Sequence, residues 1–163
     1  MRLDHSKLTA IIDTREQKPL NLLPFKVVRK SLPTGDYTLA GLEEHISIER
    51  KEFSDLIGCM TSSRERFEKE LMRMRSYPFR CIVVEGSYSD IIAGNYRSKL
   101  NPISAAHSIS SWVSKHQVPI MFVGDANAAA DFVKHYMYST AQRLFEKNRN
   151  LSRAMVDAEC VCK

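Results

Sequence analysis

The chain has 163 residues, 44% of them hydrophobic and 26% charged, which is the composition of one folded globular domain and not of a disordered chain. Its 24 lysines and arginines exceed its 19 acids, and the net charge of +5 permits a nucleic-acid partner without requiring one. No apolar run approaches the roughly 20 residues of a membrane span, and no glycine pair has the spacing of a P-loop or a dinucleotide-binding motif, which disfavours a membrane protein and a nucleotide cofactor.

The first part of the chain predicts a meander of short strands. Residues 9–13 are an apolar run that ends in an acid, which is typical of a buried strand. The β-branched segment 26–32 ends at the turn signal Pro33-Thr34-Gly35. Segments 36–40 and 45–51 predict the next two strands.

Residues 52–77 predict the clearest helix, because apolar side chains recur there at steps of three and four. Gly58 weakens the middle of this segment and predicts a kink. Residues 79–85 follow as a nearly continuous apolar strand of the kind that is buried on both faces.

The remaining elements alternate between helix and strand. Residues 103–116 predict a helix that Asn101 caps, and residues 118–123 predict a last strand. A long helix is expected from Asp125 to about residue 147. We therefore predict an α/β fold with a central mixed sheet flanked by helices, in one domain over residues 1–148, followed by a weakly specified tail over 149–163.

The chemically informative residues are Asp36 and the run Glu49-Arg50-Lys51. Side chains alternate between the faces of a strand, so Glu49 and Lys51 share one face and Arg50 lies on the other. If the strand that follows Asp36 is the hairpin partner, Asp36 lies across from the face of Glu49. This places two acids and a lysine together at the end of a strand that enters a helix.

Carboxylates held together repel one another unless a cation neutralises them, and Mg²⁺ suits a site with one or two carboxylates because it retains water. Such an ion activates water for attack on phosphorus, and Lys51 could orient that water or offset charge on the phosphate. The simpler alternative remains open at this point. An acid and a lysine two apart on a strand are common, Arg50 could be a buried salt-bridge partner, and Asp55 could favour the helix start.

The order of these motifs resembles the XPF-type structure-specific endonucleases, a branch of the PD-(D/E)XK restriction-endonuclease-like fold. Their signature, G-D followed by E-R-K-x-x-x-D, is similar to Gly35-Asp36 and Glu49-Arg50-Lys51 with Asp55. Their D-x-R-E element is matched by Asp13-Thr14-Arg15-Glu16, and their arginine before an aromatic residue by Arg66-Phe67. With no helix-hairpin-helix pattern in view, the chain resembles the compact single-domain members of bacteria and phages.

The resemblance implies a role for each matched position. Asp36, Glu49 and Asp13 would be metal ligands for Mg²⁺ or Mn²⁺, with the carbonyl of Arg50 completing the shell, and Lys51 would act on the attacking water. The supporting residues, which shape the site through salt bridges, would be Glu16, Arg50 and Asp55. The resemblance further implies a DNA endonuclease acting on branched, forked or flap DNA as a homodimer, with a separate DNA-gripping or helicase partner as a possibility.

Basic residues predict where DNA would lie, because each Lys or Arg near the backbone releases counterions. Arg15 and Arg66 resemble phosphate or structural contacts, and Arg97 and Lys99 form a second basic group in a predicted loop. Arg64 follows the apolar stripe of its helix, so we expect it to point toward the acidic site.

Two further expectations concern assembly and location. The apolar stripe of the final helix is typical of core, although part of it could face a second copy of the chain. The N-terminus lacks an apolar signal region, which indicates a cytoplasmic protein, the cytosol or nucleoid of a bacterium or a phage-infected host. Two alternatives to a structure-specific nuclease stay open: a non-catalytic DNA-binding scaffold, and a sequence-specific restriction-type nuclease of the same fold.

Overall fold

A computed structural model describes residues 2–161, with side chains up to Met155. A 3₁₀ turn over His5–Lys7 precedes the sheet. The six strands are β1 Thr9–Ile12, β2 Lys26–Arg29, β3 Tyr37–Leu39, β4 Ile46–Glu52, β5 Phe79–Glu85 and β6 Ile120–Phe122. The helices are α1 Phe53–Cys59, α2 Arg64–Met74, α3 Tyr88–Ala93, α4 Pro102–His116 and α5 Ala126–Val161.

All six strands form one mixed sheet in the order β2-β1-β3-β4-β5-β6. β1 is parallel to β2 and antiparallel to β3, β3 is antiparallel to β4, and β4, β5 and β6 run parallel. The predicted meander is therefore wrong, because β2 lies at the edge, outside β1, and not between β1 and β3. The predicted α/β class with a mixed sheet is confirmed.

Two apolar cores cover the two faces of the sheet. Alternate residues of β5 divide between them: Val83 packs with α5, whereas Ile82 and Val84 pack with α1, α2 and α4. β5 is thus buried on both faces, as its continuous apolar sequence predicted. The same alternation turns Ile48 of β4 toward α5.

The predicted helix over residues 52–77 divides into α1 and α2. The backbone N–H groups of Thr61 and Ser63 both donate to the carbonyl of Gly58, at 3.1 Å, which closes a tight turn in place of a further helical turn. The expected kink is thus a complete break. It allows α2 to take its own direction across the sheet, and this matters for the site described below.

The last part of the chain departs from the sequence predictions in two places. α3, which begins at the Ser87 cap, was not predicted. α4 agrees with its prediction, and the side chain of Asn101 accepts hydrogen bonds from the N–H groups of Ile103 and Ser104. α5 does not end near residue 147 but continues to Val161, so the division at residue 148 stays a prediction and residues 162–163 lie outside the described part.

α5 covers one face of the sheet with the stripe that the sequence indicated. Ala129, Val133 and Met137 are fully buried against the sheet. This confirms the interpretation of these positions as core, and contact of another part of the stripe with a second copy stays a prediction. Among residues 2–161, no helix combines the length and apolarity that crossing a membrane requires.

Candidate active site

The geometry around Asp36 begins with Gly35. Gly35 has a φ of 76°, and a Cβ built at this residue would lie 2.6 Å from Oγ of Ser47 and 3.1 Å from the carbonyl oxygen of Ile48. Only glycine combines this left-handed conformation with such a close approach to β4. The Gly35-Asp36 pair therefore allows the backbone of Asp36 to pack directly against β4, the strand that carries Glu49.

The register of β3 and β4 then places Asp36 beside Glu49. Tyr37 is opposite Ile48, and the N–H of Asp36 donates to the carbonyl of Ile48 at 2.8 Å. Oδ2 of Asp36 accepts a hydrogen bond from the backbone N–H of Arg50, also at 2.8 Å. The hairpin arrangement expected from the sequence is confirmed, and it orients the carboxylate of Asp36 toward the end of β4.

A cavity of about 330 Å³ opens at this end of the sheet. Its walls contain five acids and four bases, so this part of the protein is acidic although the chain as a whole carries +5. Most of the residues that the sequence singled out meet here. The lining is Arg15, Glu16, Gln17, Lys18, Asp36, Glu49, Arg50, Lys51, Glu52 and Asp55.

Asp36 and Glu49 both have raised pKa values, so their ionised forms are disfavoured in the folded protein. Burial raises the pKa of Asp36 from 3.8 to about 6, and the negative charge of Glu16 adds to this effect, while the hydrogen bond from Arg50 opposes it. Burial and the charge of Asp36 raise the pKa of Glu49 well above its ordinary value. Two acids that both resist ionisation next to each other provide a place where a cation is favoured.

Lys51, in contrast to the two acids, is stabilised in its charged form and keeps its proton. Its ammonium contacts the carboxylate of Glu49, and Oε2 of Glu70 lies 3.8 Å from its Nζ. Burial alone would lower the pKa of Lys51, but attraction to Glu49 and Glu70 outweighs it, and the pKa is raised. The Nζ also lies 5.7 Å from the centre of the Phe67 ring, close enough for a cation–π contact.

Arg50 lies on the other face of β4, as the alternation predicted. Its Nε donates to Glu85 at 2.5 Å, and its other guanidinium nitrogens lie 3.6 Å from carboxylate oxygens of Glu16 and Glu52. The side chains of Arg50 and Glu16 are both 8% exposed. This cluster joins three separate segments of chain at the wall of the cavity, and the supporting role expected of Arg50 and Glu16 stays a prediction.

Asp13 is not part of the cavity lining. Its carboxylate accepts hydrogen bonds from the backbone N–H and the guanidinium of Arg15, and from the N–H of Leu32 at 2.6 Å. Burial would raise the pKa of Asp13, but these donors outweigh it and hold the pKa below 3.8. Its own N–H donates to the carbonyl of Asp36 at 2.8 Å. In this structure Asp13 thus stabilises the backbone next to the site, with both oxygens engaged.

The donor set fits a divalent cation that is held by two carboxylates. Among the residues that the structure describes, no group of three or more acids, histidines or cysteines is arranged to hold a metal. Asp36 and Glu49 nevertheless share one cavity, and burial raises the pKa of both, so a cation bound between them would favour their ionised forms. Mg²⁺ and Mn²⁺ take one or two carboxylates and keep water molecules as their other ligands.

Glu70 is the residue of this site that the sequence analysis missed. It lies on α2, three residues after Phe67 and four before Met74, both of which are buried in the core. A charged residue on the apolar stripe of a helix faces inward, and this was the available signal. Glu85, the partner of Arg50, was also missed, because it is only the last residue of an apolar strand.

The predicted DNA-binding residues lie in different places. Arg15 is 69% exposed at the mouth of the cavity, and Arg66, Arg97 and Lys99 are exposed on α2 and on the segment before α4. The expected direction of Arg64 is wrong. Its guanidinium lies 5.2 Å from the centre of the Trp112 ring and donates to Ser108 on α4, so it stabilises the packing of α2 on α4.

The site thus combines a six-strand mixed sheet with helices on both faces, Glu49 and Lys51 near the end of strand β4, and Asp36 directly before the neighbouring strand β3. The family model described as "ERCC4 domain" matches residues 12–136, which is most of the chain. The chain therefore belongs to the ERCC4 family, the XPF-type nuclease domains, as its motifs indicated.

Two examples of solved structures that share this fold are both XPF. XPF from Aeropyrum pernix superposes with a TM-score of 0.67 and 22% identity, over 92% of this chain and 73% of that one. XPF from Aeropyrum pernix in complex with DNA gives a TM-score of 0.66 and 23% identity, over 87% of this chain and 66% of that one. No curated protein matches this chain in sequence. The comparisons confirm both the family and the fold class.

Proposed function

We propose that this chain is a Mg²⁺- or Mn²⁺-dependent endonuclease that hydrolyses phosphodiester bonds in branched, forked or flap DNA. The observation that carries the proposal is the meeting of Asp36, Glu49 and a protonated Lys51 in one open cavity. Membership of the ERCC4 family supports the nuclease activity, and the preference for branched DNA rests on that family alone.

Asp36 and Glu49 would hold the metal, which when bound polarises a phosphoryl oxygen and lowers the pKa of a water molecule. The two carboxylates are preorganised by the backbone hydrogen bond to Asp36 and by the strand register. Lys51 keeps its proton, so its Nζ supplies positive charge and a hydrogen bond to the phosphate or the attacking water and does not act as the base. Asp13 would support this pair through the backbone of Asp36.

The DNA backbone would contact cations at the rim of the cavity and beside it. Arg15 is exposed at the rim, and Arg97 lines a small cleft with Phe53 and Ser54, which begin α1 directly after the catalytic strand. Arg66 and Lys99 are exposed as well. Arg64 is left out of this set because its guanidinium is engaged with α4.

A second copy of the chain is the partner we propose at the β6 end of the sheet. β6 is an edge strand, and an apolar groove between it and α4 is lined by Ile109, Val113 and Phe122 among others. Met121 and Val113 are exposed there. An unpaired edge next to exposed apolar side chains is a surface that a symmetric dimer would cover.

The test is a panel of labelled flap, fork, nicked and linear duplex substrates, incubated with Mg²⁺, with Mn²⁺ or with EDTA. Wild type should cleave the branched substrates only with metal, and Glu49→Ala and Lys51→Ala should each slow cleavage by about 100-fold or more. Lys51→Ala should still bind DNA in Ca²⁺. The matched control is Glu44→Ala, which removes an exposed acid from the turn before β4.

Three results would contradict the proposal. Cleavage at the wild-type rate by Glu49→Ala or Lys51→Ala would contradict the catalytic role assigned to that residue. Binding of branched DNA without cleavage by the wild type would support the scaffold alternative. Cleavage of linear duplex at one fixed sequence would support the restriction-type alternative.

A further inference from the structure

An acid from the helical layer reaches the site without belonging to any signature motif. Glu70 of α2 lies with its Oε2 3.8 Å from Nζ of Lys51, and the side chains of Glu70 and Lys51 are only 20% and 15% exposed. Lys51 is therefore held between two carboxylates, that of Glu49 on the same strand and that of Glu70 on helix α2. A partly buried ion pair of this kind is less screened by solvent than a surface pair.

We propose that Glu70 is a positioning residue for Lys51, which keeps the ammonium aimed into the cavity when Glu49 is engaged by the metal; this rests on the proposed function. Glu49 has two tasks in that function, since it contacts Lys51 and also belongs to the metal-binding pair. A cation at Glu49 would weaken its attraction for Lys51 and repel the ammonium. Glu70 then provides the remaining anion that holds Lys51 in place.

The direction of α2 explains why Glu70 is available for this task. Residues two apart on a helix point to nearly opposite sides, and Glu68 points away from the site. Its carboxylate accepts from Trp112 and pairs with Arg64 and Lys115, all on the α4 side. Glu70 has only Lys51 as an ion-pair partner among the described residues.

The surroundings favour positioning over metal binding. Glu70 does not line the cavity that contains Asp36 and Glu49. In the described part of the chain these three acids are not grouped as a metal-holding cluster. Its contact is with the lysine, so its effect on the reaction must pass through the lysine.

The experiment is a double-mutant cycle with Glu70→Gln, Lys51→Ala and the combination of both. Glu70→Gln should slow single-turnover cleavage of a flap substrate about tenfold, and it should add less than about twofold in the Lys51→Ala background, because the two residues act as one unit. The Kd for Mn²⁺, measured by calorimetry without DNA, should change by less than about threefold, and DNA affinity in Ca²⁺ should be unchanged. Glu70→Asp should restore part of the rate.

Two controls separate a positioning role from a structural one. Glu68→Gln removes an acid from the same helix and should lower Tm while leaving the cleavage rate unchanged. Glu65→Gln removes an exposed acid with no contact to the site and should change neither. In metal-free protein, the Tm shifts of Glu70→Gln and Lys51→Ala should be non-additive, a readout that does not depend on activity.

The proposal for Glu70 is overturned by a full cleavage rate in Glu70→Gln or by additive effects in the cycle. A rise of more than about tenfold in the Kd for Mn²⁺, with the rate rescued by excess Mn²⁺, would make Glu70 a metal ligand instead. These results differ from failure of the proposed function, in which wild type and Glu49→Ala behave alike. In that case the Tm cycle would still decide whether Glu70 and Lys51 are coupled.

Discussion

Replacing Asp36 by asparagine tests whether the acid pair destabilises the protein until a cation neutralises it. Asp36 is partly buried beside Glu49, and its Oδ2 accepts a hydrogen bond from the N–H of Arg50. Asparagine keeps the size of the side chain and an oxygen for that hydrogen bond, so the substitution removes mainly the charge. We expect the metal-free variant to be more stable than the wild type at neutral pH.

The magnitude follows from the pKa of Asp36, which burial raises from 3.8 to about 6 in the folded protein. Between these two values the folded chain still holds a proton that the unfolded chain has released, so the free energy of unfolding falls as pH rises through this window. At about 1.36 kcal/mol for each pH unit, the full cost above pH 6 is about 3 kcal/mol. Below pH 3.8 the acid is neutral in both states and the cost is absent.

Urea unfolding of both proteins in EDTA, at about pH 4 and about pH 7.5, measures this difference. The variant should gain about 3 kcal/mol at the higher pH and little at the lower one. Mn²⁺ should stabilise the wild type and not the variant, because binding to the folded state requires the carboxylate. The control is Glu44→Gln, an exposed acid outside the cavity. Equal stability of variant and wild type at neutral pH, or equal stabilisation of both by Mn²⁺, would refute the reasoning.

The remaining predictions concern three side chains that do not line the cavity, those of Asp13, His116 and Arg64. Asp13→Asn should act in the opposite direction. Burial raises the pKa of Asp13, but the hydrogen bonds from Arg15 outweigh burial and lower the pKa. The free energy of unfolding of the variant, measured in urea at neutral pH, should therefore be about 2 kcal/mol lower, and this loss should shrink as pH falls below 3.8. His116 is 1% exposed, with neither ring nitrogen hydrogen-bonded within residues 2–161, and burial lowers its pKa below 6.5. The wild type should therefore lose Tm as pH falls below 6.5, and His116→Leu should lose less; an equal loss would contradict the assignment. Arg64→Ala should lower Tm through loss of its contact with Trp112 and leave DNA affinity in Ca²⁺ unchanged, whereas a large drop in affinity would return Arg64 to the DNA-binding set.

Local patterns were enough to place the strand that carries the site. The apolar run of β5, the Asn101 cap of α4 and the alternation along β4 each depend on residues close in sequence, and each agrees with the structure. The order of the Gly-Asp, Glu-Arg-Lys and Asp-x-Arg-Glu motifs was enough to identify the family, which the family model confirms. The roles of the individual site residues stay predictions.

The errors have a common cause in contacts between distant segments. Arg64 was expected to face the acids, but it bonds to Ser108, 44 residues away, because the break after α1 turns α2 toward α4. The strand order was missed because pairing of β1 with both β2 and β3 is decided by the packing of whole layers. Periodicity describes which side of an element is apolar, and it carries no information on which neighbour that side meets.

The amino-acid sequence by itself determined which side chains β4 presents on each face, since strand geometry alternates them, and it determined the family, since the motifs are short and ordered. Only the tertiary structure decided that Asp13 is satisfied by Arg15 and Leu32, and that Glu70 reaches Lys51 from another layer. The physical reason is that a carboxylate's partner is whatever donor the folded chain brings within hydrogen-bonding distance. That choice is made by the packing of helices on the sheet, after the local elements have formed.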